Sequence, residues 1–148
     1  MKSEPNVFSF DDLLAEPEQT TYWEGVRNYQ ARNMMRDQMK VGDQVFYYHS
    51  SCDEPGIYGL AEIVREGYPD PTAFEPTARY FDPKSEADAP RWYMVDLKAI
   101  RPLSRPILLA ELRDHADELE GLALLRKGNR LSVLPVDPRH WQIILDLE

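Results

Sequence analysis

The sequence predicts an α+β fold: a mixed β-barrel surrounded by short helices, built as one domain over residues 1–148. Three observations carry this prediction. Runs rich in β-branched and aromatic residues outnumber helical runs, the helical runs lie between them, and no repeat, low-complexity tract or composition shift marks a linker. With 43% hydrophobic and 29% charged residues, the chain has the apolar material for a single core.

The elements are justified in order. Ser9 before Phe10-Asp11-Asp12-Leu13-Leu14 reads as an N-cap followed by an acidic first turn, so a short helix starts there and ends before Pro17. Residues 27–40 read as a second helix. Gln44 to His49 is β-branched and aromatic between turn formers and reads as a strand; Ile57 to Arg65 is the next, with Gly59 at a bulge or close approach. From Gly67 to Pro90 five prolines and many polar residues predict a long irregular surface segment.

Arg91 to Ile100 is a third strand. Its Tyr93, Val95, Leu97 and Ala99 face the core, and Trp92, Met94, Asp96 and Lys98 face away. Pro106 is expected to open a helical stretch around Leu108, Leu109 and Leu112. The apolar segments Leu131 to Val136 and Trp141 to Leu145 are expected to be strands that close the sheet.

Bulk properties narrow the function. A formal net charge of -9 argues against broad, nonspecific phosphate binding, so any nucleic-acid contact must be local. Cys52 is the only cysteine, which leaves no intramolecular disulfide and no thiolate zinc site. His115 and His140 have no metal-ligand spacing with His49, and neither a metal nor a cofactor is expected. Without a signal-like start or an apolar run near the roughly 20 residues of a membrane span, a cytoplasmic monomer is expected, nuclear if the source is eukaryotic.

Several groups of residues suggest chemistry. In a helix starting near Asn28, residues Asn28, Arg32, Arg36 and Lys40 make a polar row beside Ala31, Met35 and Met39. Such a basic row either faces phosphates or is a solvated face paired with nearby carboxylates. Trp23, Tyr47, Tyr48, Tyr68, Trp92 and Tyr93 provide flat faces for stacking an unpaired base, although core packing is the more common use of such residues. Trp92, opposite the core face, is singled out as a cavity liner. His49-Ser50-Ser51-Cys52 invites a nucleophile–base reading, but neighbours on a strand point apart, and Asp53 and Glu54 would raise the thiol pKa. No catalytic residue is assigned. Ser3 and Ser132 could present donors to a base edge, and are equally readable as turn or capping serines.

Lys2-Ser3-Glu4-Pro5, the block Trp23-Glu24-Gly25-Val26-Arg27-Asn28-Tyr29-Gln30-Ala31-Arg32-Asn33, Tyr48-His49-Ser50, Tyr68-Pro69-Asp70, Trp92 and Arg130-Leu131-Ser132-Val133 together resemble the EVE domain family over nearly the whole chain. The family is similar in fold to PUA, ASCH and YTH domains, which implies a PUA-like barrel with a pocket at one end and a reader of modified cytosine or adenine in DNA or RNA. In the family an aromatic-aliphatic first strand precedes the Lys-Ser-Glu-Pro motif. Here that motif follows Met1 directly, so the first strand is short or the start lies further upstream.

Combined with this resemblance, the expected function is noncatalytic recognition of a modified base. Trp23, Trp92 and Tyr48 would wall the pocket. Ser3, Asn28, Asn33, His49, Ser50 and Ser132 would hydrogen-bond the base edge, and Arg32 and Arg36 would hold the adjoining phosphate. The alternatives are a hydrolase of modified nucleotides using His49 and Ser50, and a general RNA-binding module.

Overall fold

A computed structural model describes all residues, 1–148. Five strands make one mixed sheet: β1 (Lys2–Ser3), β2 (Thr20–Tyr22), β3 (Gln44–His49), β4 (Gly56–Pro69) and β5 (Tyr93–Leu108). Their spatial order is β1-β3-β4-β5-β2, with β1 parallel to β3 and every other pair antiparallel. The α+β class with short helices is therefore as expected. The edge strands β1 and β2 do not pair, so the sheet stays open instead of closing by hydrogen bonds.

Alternation along β3 divides the interior in two. Val45 and Tyr47 enter one core with Phe10, Leu13 and Val95, while Phe46 and Tyr48 enter a second with Ile57, Ile107 and Leu112. Gly59 lies at a register shift, and a Cβ there would meet the Phe10 ring at 2.4 Å, which is the close approach expected of it. In β5, Val95, Leu97 and Ala99 are buried as expected; Met94, assigned to the other face, is buried too.

The helices are α1 (Pro5–Phe8), α2 (Phe10–Ala15), α3 (Tyr29–Asn33), α4 (Leu109–Asp114) and α5 (Pro138–Leu147). Helix α2 has the expected Ser9 cap, completed as a capping box by Asp12. Helix α3 passes into a π turn over Met34–Gln38 and ends there, two residues short of Lys40. A π turn holds one residue more than an α turn, so Arg36 and Lys40 leave the line begun by Asn28 and Arg32.

Three expectations are corrected. Pro106 lies inside β5, not at a helix start: past Lys98 this strand has a neighbour on one side only, and proline is tolerated on such an edge. Residues 131–136 form no regular element. Trp141 to Leu145 belongs to α5, whose start is set by the Asp137 cap and Pro138 and whose buried His140 and Ile144 are four residues apart.

Helix α5 covers the second core through Ile144, which is 1% exposed. Ile144→Ala is expected to lower the unfolding free energy by about 2–5 kcal/mol through lost burial and the cavity left behind, measurable by urea titration.

Candidate functional site

A cavity of about 480 Å³ opens beside β1, α1 and the turn after β2, within the size range of about 300–1,000 Å³ usual for small-molecule sites. Ser3, Trp23 and Ser132 line it, as do Lys2, Glu24, Gly25, Arg79 and Tyr80. Its position follows from local structure. Lys2 donates its amide to the Ser132 carbonyl at 2.8 Å, which ties the N-terminal strand to the Arg-Leu-Ser-Val segment, and Trp23 donates its amide to Val95 at 2.8 Å. The Trp23 ring packs edge-on against Tyr47, with centroids 5.6 Å apart, and is 9% exposed.

The opposite wall comes from the proline-rich segment. Arg27 spans the gap: its Nε and Nη2 donate to the Tyr80 carbonyl at 3.0 and 2.6 Å, and its Nη1 donates to Asp70 at 3.0 Å. Asp70 is fully buried and also accepts from the Gly25 amide at 2.9 Å and from the Thr72 amide and hydroxyl at 2.9 and 2.6 Å. Gly25 has φ +80°, and a Cβ on it would come within 2.6 Å of the Tyr80 ring.

Charges in the cavity are unspent. Lys2, Arg79, Glu4, Glu16 and Glu24 line it and take no part in the ion pairs of the molecule. Burial, reinforced by nearby Asp70 and opposed by Arg27, raises the Glu24 carboxyl above its ordinary value. A glutamate so placed is a natural acceptor for the exocyclic amine of cytosine, and the two cations suit a phosphate.

For Asp70, burial alone would raise the pKa, but the bonds from Thr72, Gly25 and Arg27 outweigh it and hold the carboxyl below the usual carboxylate range. A depressed folded-state pKa means that this stabilisation is present above the unfolded value of about 4 and is lost as pH falls through the lower folded value. Thermal unfolding is therefore expected to lose stability between about pH 5 and pH 2 more steeply in the wild type than in Asp70→Asn, which scanning calorimetry at stepped pH checks.

The other sequence-derived residues lie elsewhere. Trp92 is buried behind the Arg27 side chain, stacked on Tyr29 at 4.8 Å and donating its indole N–H to Asp82 at 2.6 Å; it does not line the cavity. Tyr48 points into the second core, because alternation sends it to the face opposite Tyr47. The His49 Nε2 accepts the Phe10 amide at 3.1 Å while its ring stacks on Tyr58 at 4.0 Å, and burial lowers its pKa. That bond occupies the nitrogen a general base would use. The Ser50 amide donates to the Ser3 carbonyl at 3.0 Å. Asn28 caps α3 by accepting from the Ala31 amide, and Asn33 accepts from Arg32 at 2.9 Å. Arg32 donates to the Arg91 carbonyl at 2.8 Å, Arg36 pairs with Asp37 at 2.7 Å, and Lys40 pairs with Glu66 at 3.3 Å.

Lys2, Glu24, Gly25, Arg79 and Tyr80 line the cavity without a signal of their own in the sequence: the first three stand inside the Lys-Ser-Glu-Pro and Trp-Glu-Gly-Val-Arg-Asn blocks, and nothing local to Arg79 or Tyr80 points to the cavity.

A second, mostly apolar cavity of about 680 Å³ lies between the π turn, β3 and α5 and holds none of the sequence-derived site residues. No helix is long and apolar enough to cross a membrane.

The profile of the EVE domain matches residues 1–147. The chain belongs to the EVE domain family. Human thymocyte nuclear protein 1 is 44% identical to this EVE domain across the whole chain, which spans 72% of that protein; the zebrafish protein of the same name is 46% identical over the whole chain and 70% of its own length. Among solved structures, human THYN1 in complex with 5-methylcytosine-containing DNA is 45% identical, with a TM-score of 0.94 over 99% of this chain and 94% of that one. A Pseudomonas putida protein is 46% identical, with a TM-score of 0.92 over 99% of this chain and 96% of that one.

Proposed function

We propose that this EVE domain is a DNA-binding module that receives a modified cytosine, 5-methylcytosine in the first instance, in the cavity between Trp23 and Tyr80. The observation that carries this reading is the similarity in fold and sequence to human THYN1, whose structure holds 5-methylcytosine DNA. The cavity chemistry agrees with it. The uncovered part of Trp23 and the Tyr80 ring offer aromatic surface to a base taken out of its stack, Glu24 can accept from its amine, and Ser3 and Ser132 can meet its remaining polar edge. Lys2 and Arg79 take the adjoining phosphates.

One methyl group in an apolar pocket discriminates by about 1–3 kcal/mol, so a preference of about 10- to 200-fold for methylated over unmethylated DNA is expected. Fluorescence anisotropy with paired oligonucleotides tests it: equal affinity for both removes the reading, and tighter binding of the matching RNA moves the function to RNA. If Arg79 holds a phosphate, Arg79→Ala should weaken both DNAs alike and reduce the slope of log affinity against log salt by about one; an unchanged slope places Arg79 off the backbone.

A further inference from the structure

Two segments quoted in the sequence for their motifs, Gly25-Val26-Arg27 and Tyr68-Pro69-Asp70, touch neither each other nor the cavity in any way that sequence spacing requires, yet they meet through one buried carboxylate. Asp70 accepts from Gly25 on the cavity floor, from Arg27 beside it and from Thr72 at the start of the proline-rich segment. Arg27, with a side chain 22% exposed, extends the bridge to the Tyr80 carbonyl with two donors and lies 5.8 Å from the Tyr80 ring centroid. The far end of that segment is held as well, by Asp82 accepting from the Trp92 indole and donating its amide to the Ala73 carbonyl. Tyr80 is the aromatic wall of the cavity that comes from the proline-rich segment, and its seat on Gly25 leaves no room for a Cβ.

We infer that Arg27 and Asp70 are positioning residues: together they latch residues 70–82 onto the Trp23–Arg27 turn, so that Tyr80 stands ready as a fixed wall before any base enters. This inference rests on the reading of the cavity as the base site. A wall fixed in advance spares the ordering of a loop on binding, and that saving favours the ligand that fills the space best. The Arg27 fork matters as much as its charge, because Nε and Nη2 grip one carbonyl while Nη1 grips the carboxylate; a lysine ammonium cannot reproduce that geometry.

Two measurements test it, each on the full chain. The first, amide hydrogen exchange on the free protein, compares wild type with Arg27→Met and Arg27→Lys. Exchange at residues 71–82 is expected to quicken about tenfold or more in both variants while β3 and β4 keep their protection; unchanged exchange in that segment overturns the latch. The second is a double-mutant cycle on binding of 5-methylcytosine and unmodified oligonucleotides. Arg27→Lys is expected to reduce the methyl preference about fivefold with Tyr80 present, and to reduce it no further in the Tyr80→Ala background. Equal losses in both backgrounds mean that Arg27 acts directly on DNA and contradict the positioning role. A wild type without methyl preference, alongside accelerated exchange in the variants, overturns the base-reading function and leaves the latch standing.

Discussion

Asp70→Ala is expected to lower the unfolding free energy of this EVE domain by about 3–5 kcal/mol, a large part of what a domain of this size has. The carboxylate is fully buried and accepts four hydrogen bonds, from Gly25, Arg27 and twice from Thr72. Removing it strands the Gly25 amide and deprives a mostly covered guanidinium of its only carboxylate. An unpartnered buried charge costs more than the pair it leaves behind was worth, which is why truncation of one partner is so damaging. Asp70→Asn keeps the volume and an acceptor oxygen and should cost less, about 1–3 kcal/mol. Urea unfolding followed by circular dichroism checks both, and a loss below 1 kcal/mol for the alanine variant would show that Arg27 finds another partner.

Gly25→Ala is expected to reduce affinity for 5-methylcytosine DNA by about tenfold or more, the largest loss from adding a single methyl anywhere in the cavity. Two effects combine. At φ +80° an L side chain is strained by about 1–2 kcal/mol, and the new Cβ would stand 2.6 Å from the Tyr80 ring, far inside contact distance. Either Tyr80 moves and the wall is lost, or the turn moves and carries Trp23 with it. Binding isotherms on the alanine variant, with thermal unfolding run in parallel, separate loss of the site from loss of the fold. A variant that binds as tightly as wild type would mean that the base does not depend on this wall.

The sequence was informative where the signal is local. The Ser9 cap with its acidic first turn, the strand from Gln44 to His49 and the close approach at Gly59 are all short-range features, and the structure has them. It misled where a short apolar run fits two periods: Trp141 to Leu145 reads as a strand until Asp137-Pro138 is taken as a cap, and the Pro106 helix start was really a strand edge. The site divides in the same way. Ser3, Trp23 and Ser132 come together because motif blocks at both ends of the chain meet at β1. Tyr80 could not be read, since its place depends on Arg27 reaching across 53 positions of sequence, and no local pattern encodes that reach. Trp92 and His49 looked functional by residue type. Neither lines the cavity beside Trp23: the Trp92 indole donates to Asp82, and His49 accepts from the Phe10 amide.

The structure of this EVE domain bound to a short DNA carrying one 5-methylcytosine is the most direct measurement of where the base goes. The expected result is a cytosine ring in the cavity beside Trp23, Gly25 and Tyr80, with its amine toward Glu24 and the adjoining phosphate within reach of Arg79 or Lys2. A base that remains stacked in the duplex, or one seated in the apolar cavity beside Trp141, would contradict it.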